Sequence, residues 1–343
     1  MPTRLNLIIV LVLILTGCAQ PESVYGPAEA ELKRVATILN LDPLPISVTQ
    51  RTAALRPNVA LSETRIALTE ALSLGECGLV PLIAERNSAL GRQKVASTRF
   101  IYEWRIRHGL ASCVEQFGDE DWFQAAMTGK AIDVEHAAYL VLFEGDEAQQ
   151  LNSLLPSSYA RLRDSTAAYR DAFGLITPIV LQAIEGQTAP TGEQQSTLET
   201  ALKHWGNTRH HATLSQAIRQ TDAWLVSANT LLTKAIDGNR LCPMKQPTTE
   251  GRQIASFIQG YFATNIQPQI ADVFQSVDAL DSLWMPLRDA SKSIQRDATP
   301  SQLLRIEERA LETLRARWAA HVQGWQTILQ QCQLAPRAAT TNS

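Results

Sequence analysis

The sequence lacks an excess of basic residues: 31 Lys and Arg stand against 34 Asp and Glu, for a formal net charge of -3. A chain without such an excess cannot neutralise many phosphates, which excludes a general nucleic-acid binder. Glycine and proline are not enriched, with 17 and 16 copies in 343 residues, which excludes collagen-like and low-complexity chains. The hydrophobic content of 45% excludes disorder, and the length allows one large domain or two modest ones.

The common signatures of catalytic sites are also absent. No GxSxG, HExxH, SxxK, Walker A or GxGxxG pattern occurs in the chain, so the usual motifs of hydrolases, metalloproteases, acyl transferases and nucleotide-binding proteins are missing. No CxxC or paired-histidine spacing indicates a metal site. We therefore expect no metal and no dissociable cofactor, and we favour a noncatalytic protein over an enzyme.

Strand patterns are nearly absent as well. Apolar residues recur every three or four positions after residue 27, whereas runs of alternating β-branched residues hardly occur. This periodicity predicts an all-α protein, a multi-helix bundle of antiparallel helical hairpins. The Gly- and Pro-containing stretch 186–192 is the clearest linker, so we predict helical subdomains at 27–186 and 193–335. A disordered tail is expected at 336–343.

Two helix starts carry capping signals. Thr191 and Gln194 have the spacing of a capping box, which predicts that a helix begins there. Thr299 followed by Pro300 predicts the start of a last helix, whose apolar stripe continues to Cys332.

Other boundaries follow from helix breakers. A continuous helix is predicted from Ser97 to Phe117, and a break is predicted near residues 206–207. Pro178 predicts a kink or a break in its helix. The proline-bordered stretch 44–58 predicts irregular chain that lies over the bundle.

One long apolar run is present, at the start of the chain. Residues 7–15 are nine consecutive apolar residues, which as a helix span roughly 14 Å, about half of a hydrocarbon core. They predict a signal peptide at 1–17 and not a permanent span. Two kinds of signal peptide are possible: one processed at Cys18 with lipid attachment, and an ordinary one that is cleaved nearby and leaves Cys18 unmodified.

Leu15-Thr16-Gly17-Cys18, at the end of this run, resembles the lipobox of bacterial lipoproteins. The resemblance implies that Cys18 becomes the first residue and carries a diacylglycerol and an N-acyl lipid, with residues 18–26 as anchor and tether. No Asp follows Cys18, which resembles lipoproteins forwarded to the outer membrane. We expect a lipid-anchored protein on the periplasmic face of that membrane.

The four other cysteines form an even set, as expected in an oxidising compartment. Four cysteines allow three pairings. Cys77 and Cys113 are equidistant from Val95, so a helical hairpin turning there places them opposite each other. We predict the pairs Cys77–Cys113 and Cys242–Cys332, the second with a tolerable mismatch in helix length.

The densest polar segment is the basic hairpin, residues 85–107, with six basic and two acidic residues. Such a segment could bind an anion, such as a lipid phosphate or a carboxylate of a cell-wall peptide. The alternative is that its polar residues cap a helix while its arginines pair with nearby acids. The candidate residues are Glu85, Arg86, Asn87, Ser88, Arg99, Tyr102, Glu103 and Arg105.

Histidine and tryptophan offer further candidates. His204, His210 and His211 are close in sequence, but their spacing does not place them on one helix face, so we expect a solvated surface. The seven tryptophans lie mostly on apolar stripes, and we expect them in the core.

A family resemblance rests on Cys77-Gly78-Leu79, the stretch Leu82-Ile83-Ala84-Glu85-Arg86-Asn87-Ser88-Ala89-Leu90-Gly91, Tyr102-Glu103 and Cys113, behind the lipobox. With these residues the chain resembles an uncharacterised family of proteobacterial lipoproteins that is known only as a domain of unknown function. The resemblance implies an envelope lipoprotein and no catalytic residues.

We therefore expect a noncatalytic outer-membrane lipoprotein that acts as a periplasmic interaction or scaffold module. Its expected partners are the membrane, through the lipid anchor, and an envelope protein or cell-wall component. One alternative is an envelope hydrolase that uses Glu85 or Glu103 with Ser88. Another is a carrier of an apolar ligand in the bundle core.

Overall fold

The computed structural model describes residues 26–49, 65–92, 95–153, 159–238 and 240–335. The predicted signal peptide, Cys18 and the tail after residue 335 lie outside these ranges. Within them all regular structure is helical and no strand occurs, which confirms the all-α prediction. In the same ranges, no helix combines the length and the apolarity that a membrane crossing needs.

The first nine helices precede the linker. They are α1 (Gly26–Leu39), α2 (Leu68–Ser73), α3 (Val80–Asn87), α4 (Ala89–Arg92), α5 (Ala96–Ala111), α6 (Val114–Phe117), α7 (Asp121–Tyr139), α8 (Asp146–Leu151) and α9 (Tyr159–Glu185). A 3-10 turn at Leu74–Cys77 follows α2, and a π-helical segment at Leu140–Glu144 follows α7.

The remaining helices follow the linker. They are α10 (Gly192–Asn207), α11 (His210–Asp237), α12 (Thr249–Phe257), α13 (Gln267–Ala290), α14 (Lys292–Asp297), α15 (Pro300–Leu304) and α16 (Ala310–Gln331). A 3-10 turn at Pro243–Lys245 precedes α12, and a π-helical segment at Ile258–Ile266 joins α12 to α13.

The main core lies where α9 packs against α10 and α13, and where α11 packs against α16. Apolar side chains at helical spacing turn one face of each helix inward, and this burial is the principal stabilising contribution to such a bundle. Four tryptophans are completely buried, as expected from their stripes: Trp104, Trp205, Trp224 and Trp284. Side chains from both sides of residues 186–192 share this core, and the division into subdomains stays a prediction.

A smaller core lies between residues 65–92 and helices α5 and α7. It buries Leu74, Leu79 and Cys113 with four further side chains, those of Tyr102, Ile106, Leu110 and Phe123. Gly109 permits the close contact, because a Cβ there would lie 2.3 Å from Cδ2 of Leu79. This core holds α3 against α5 and thereby positions the basic hairpin.

Both predicted disulfides are present. Cys77 and Cys113 are bonded across the smaller core with their Cα atoms 5.7 Å apart, and Cys242 and Cys332 are bonded in the main core with Cα atoms 5.1 Å apart. The chain is therefore cross-linked at two sites, and the first of them is the pair that the hairpin turning at Val95 predicted.

Local capping signals predicted some boundaries correctly. The capping box of Thr191 and Gln194 forms at the start of α10, and this helix ends at Asn207, as predicted. The described part of the irregular stretch, residues 44–49, lies along α11, where Ser227 and Arg219 donate hydrogen bonds to its carbonyls.

Two helix predictions were wrong in extent, and the break considered at Pro178 does not occur. The helix expected to reach Phe117 ends at Ala111, and Val114–Phe117 forms a separate turn. The last helix, expected from Thr299 to Cys332, is divided because Arg305 adopts the left-handed conformation (φ 53°) after Leu304. Pro178 does not break its helix, since α9 continues to Glu185.

Candidate functional site

A buried carboxylate, Glu103 on α5, is surrounded by cations from three helices. Its side chain is 4% exposed. Arg86 of α3 and Arg99 of α5 place their Nε atoms 3.8 Å and 4.0 Å from Oε1, and Lys130 of α7 places Nζ 2.9 Å from Oε2. A carboxylate can remain charged away from water only with such partners.

Lys130 connects Glu103 to a second buried carboxylate. Its Nζ lies 2.7 Å from Oδ2 of Asp133, one turn further along α7. We call these five residues the Glu103 cluster: Arg86, Arg99, Glu103, Lys130 and Asp133. Three cations face two carboxylates, and the cations are the more exposed members, at 23%, 27% and 18% for Arg86, Arg99 and Lys130. The solvent-facing edge of the cluster is therefore positive.

The chain places these residues together by short-range and long-range means. Arg99 and Glu103 are four residues apart on α5 and so share a helix face. Arg86 lies in the last turn of α3, which the smaller core holds against α5. Sequence reasoning missed Lys130 and Asp133. The available signal was the i,i+3 spacing of Lys130 and Asp133, which places opposite charges on one face of α7.

The neighbouring candidates have structural contacts of their own. Tyr102 is buried in the smaller core, and burial, together with the adjacent Glu103 charge, raises its pKa above the usual value. Ser88 Oγ donates to the carbonyl of Glu85 at 2.7 Å and accepts from the backbone N–H of Gly91 at 2.9 Å. The Ser88 hydroxyl thus bonds to the backbone where α3 ends, while the side chains of Glu85 and Asn87 are exposed.

The other arginines of the basic hairpin point elsewhere. Arg105 lies two positions after Glu103, a rotation of about 200° around α5, so its side chain points away from Glu103. It is exposed and donates a hydrogen bond to Oε1 of Gln195 on α10 at 3.4 Å. Arg107 Nη1 donates to the carbonyl of Ala183 at 3.0 Å and caps the end of α9. The structure therefore brings together Arg86, Arg99 and Glu103 of the predicted set, and it does not bring Arg105 to them.

A groove of about 570 Å³ runs between α9 and α10. Small side chains line it, together with Leu175, Asp171 and His204. Its volume suits an apolar ligand of modest size.

The prediction of a solvated histidine surface was wrong for two of the three residues. His204 is exposed, but His210 and His211 are buried. Arg209 adopts a left-handed conformation (φ 50°) that starts α11 in a new direction and turns both rings inward. His210 Nδ1 lies 3.0 Å from Ser165 Oγ, and burial lowers the pKa of His210 to about 3.

A third buried histidine, His321, was not singled out from the sequence. Trp325 Nε1 donates to its Nε2 at 2.9 Å, and its Nδ1 lies 2.9 Å from Oδ1 of Asn229. Because Nε2 accepts a hydrogen bond, the ring is neutral with its proton on Nδ1. Burial lowers the pKa of His321 to about 3, which agrees with a packing role.

The described residues hold no group of three His, Cys, Asp or Glu side chains arranged to bind a metal ion. In comparisons with known proteins, a family model with the description "protein of unknown function (DUF3080)" matches residues 29–336. No curated protein and no solved structure matches the chain.

Proposed function

The chain belongs to the DUF3080 family, and we propose that it is a noncatalytic outer-membrane lipoprotein that serves as a periplasmic interaction module of the cell envelope. The cysteines carry this proposal. Of five in the sequence, four are paired in the structure, and the fifth is Cys18 at the end of the apolar run. Paired cysteines are typical of an oxidising compartment, which supports export from the cytoplasm.

The anchor is tested by mass spectrometry of protein isolated from membranes. We expect the N-terminal peptide to begin at Cys18 and to carry acyl chains, and the Cys18→Ser variant to lose both cleavage and acylation. An unmodified Cys18, or an N-terminus at another residue, would contradict the anchor.

For the interaction surface we propose the positive edge of the Glu103 cluster, which suits an anionic group of an envelope protein or cell-wall peptide. The side chains of Arg86 and Arg99 are 23% and 27% exposed while they contact Glu103. An incoming carboxylate at this edge would meet an excess of positive charge, which favours charge-assisted hydrogen bonds.

The test is crosslinking in cells with single charge reversals. Arg86→Glu and Arg99→Glu are expected to remove a crosslinked species that the wild-type protein forms. Arg105→Glu is the matched control, because Arg105 lies in the same basic hairpin but outside the cluster. Arg99→Gln, with its unfolding temperature measured, separates lost binding from lost folding. Equal crosslinking by all variants would contradict this surface.

The alternatives have different support. The hydrolase alternative requires a carboxylate of Glu85 or Glu103 to act beside the Ser88 hydroxyl. That hydroxyl instead forms hydrogen bonds with backbone atoms of Glu85 and Gly91, which argues against this alternative. The alternative of a carrier for an apolar ligand is supported by the groove between α9 and α10, which offers space for such a ligand. Native mass spectrometry of protein purified from membranes tests the carrier, which requires a bound apolar species.

A further inference from the structure

The loop between α11 and α12 holds a methionine side chain out in solvent. Met244 is 90% exposed, more than any other large hydrophobic side chain in the described ranges. Its neighbours Leu241 and Cys242 are buried. The loop thus fixes its base in the core and presents one apolar side chain at its tip.

The conformation of this loop is constrained from several sides. Cys242 is bonded to Cys332 at the end of α16. Thr248 closes the loop, since its backbone N–H and its hydroxyl both donate to the carbonyl of Leu241, at 2.9 Å and 3.0 Å. Met244 and Lys245 have φ of 53° and 63°, a left-handed conformation that side-chain-bearing residues rarely adopt. The exposure of Met244 is therefore part of a defined conformation.

Basic residues flank the tip in the sequence. Between residues 240 and 252 the chain has three cations, Arg240, Lys245 and Arg252, and one acid, Glu250. Arg252 Nη1 donates to the carbonyl of Pro247 at 2.8 Å, which keeps this cation against the loop. This combination suits the surface of a bilayer: an apolar side chain can enter the acyl region, while cations beside it interact with anionic headgroups.

We propose that this loop is a second membrane contact, in which Met244 enters the acyl region and the basic residues meet anionic headgroups. The inference rests on the proposed lipid anchor, which keeps the loop close to the bilayer. A lone methionine binds weakly, but an anchored protein needs only a weak second contact to hold one orientation. The consequence is a fixed face of the molecule toward the membrane.

Methionine oxidation tests this proposal on the full chain as isolated from membranes. The protein is reconstituted on phosphatidylcholine vesicles with or without phosphatidylglycerol and exposed to dilute hydrogen peroxide, and sulfoxide is quantified by peptide mass spectrometry. We expect oxidation of Met244 to be at least about fivefold slower on the anionic vesicles, because the acyl region excludes the polar oxidant. Met285, 49% exposed near the far end of α13, is the internal control and should react equally on both.

A double variant, Arg240→Glu with Lys245→Glu, is expected to abolish the protection of Met244. The matched control reverses Arg163 and Arg315, two exposed arginines on α9 and α16, and should retain it. Equal oxidation of Met244 on both vesicles, or equal slowing of Met285, would overturn the inference while leaving the anchor intact. Failure to bind any vesicle would overturn both proposals.

Discussion

Glu103 shows how one buried charge can organise its surroundings. Its side chain is buried, and its carboxylate interacts with cations from α3, α5 and α7. A buried ion pair adds little net stability compared with an apolar replacement, but removal of one member leaves the others unpaired. The five residues of the Glu103 cluster therefore depend on one another.

The Glu103→Gln variant is expected to lower the free energy of unfolding by about 3 kcal/mol, because three cations lose their shared counter-charge. Urea unfolding monitored by circular dichroism measures this change. The matched control is Asp272→Asn, which removes an exposed ion pair with Arg163 and should change the free energy by less than about 1 kcal/mol. Similar effects of both substitutions would contradict the mutual dependence.

Glu31 of α1 presents the opposite case, a buried carboxyl without compensation. Its side chain is 2% exposed, and its Oε2 atom has no hydrogen-bond partner among the described residues. Burial raises the pKa of this carboxyl well above the usual 4.5. The free energy of unfolding is therefore highest at low pH, where the Glu31 carboxyl is protonated in both the folded and the unfolded chain. It falls as the pH rises above the unfolded-state pKa, because the unfolded chain then loses this proton while the buried carboxyl retains it.

We expect Glu31→Gln to be stabilising relative to wild type by an amount that grows with pH above 4.5, by at most about 1.4 kcal/mol per pH unit. Urea unfolding at pH 5, 6.5 and 8 measures the difference. Glu29→Gln, on the exposed side of the same helix, should show no such trend. A constant difference across this range would mean that Glu31 titrates normally.

At the scale of elements, the start of α10 is set by local hydrogen bonds. Thr191 Oγ1 accepts from the backbone N–H of Gln194 at 3.1 Å, and Gln194 Oε1 accepts from the backbone N–H of Thr191 at 2.9 Å. These bonds satisfy donors that have no partner inside the helix. Because they join residues three apart, the sequence could predict them.

Thr191→Ala is expected to lower the free energy of unfolding by about 1 kcal/mol through loss of the cap. The matched control is Thr230→Ala in α11, where the hydroxyl only donates back to the carbonyl of Val226 and the expected change is within about 0.5 kcal/mol. Thermal unfolding of the two variants in parallel measures the difference. A Thr191 effect no larger than the control would exclude a stabilising role for the cap.

Two helix breaks show the limit of local signals. Gly206-Asn207 marked the end of α10, but nothing at Arg305 marked the division between α15 and α16. An arginine in the left-handed conformation is unfavourable by itself, so tertiary packing must compensate for it. A sequence pattern based on glycine and proline could not find this break.

At the scale of the whole molecule, each disulfide staples a different core. Cys77–Cys113 closes the smaller core over 36 residues of sequence, and Cys242–Cys332 closes the main core over 90. Cross-links restrict the unfolded chain more when the loop between them is longer. The second bond should therefore contribute more to stability.

In the chain-entropy relation, loss of the Cys77–Cys113 bond costs about 3.8 kcal/mol and loss of the Cys242–Cys332 bond about 4.6 kcal/mol. The paired Cys→Ala variants test this order by urea unfolding, and the reduced wild-type protein serves as the reference without either bond. A larger loss for the Cys77–Cys113 pair would reverse the order and assign its effect to native contacts of the smaller core.

The sequence by itself determined the features that depend on neighbouring residues: helical periodicity, the capping box at Thr191 and the even set of cysteines. It also predicted both disulfides: Cys77–Cys113 because a hairpin places residues equidistant from its turn side by side, and Cys242–Cys332 as the remaining pair, with a mismatch in helix length. Only the tertiary structure decided that Lys130 and Asp133 join Glu103 and that His210 and His211 are buried. These outcomes depend on contacts between distant segments, whose geometry is set by packing of whole helices and not by local spacing.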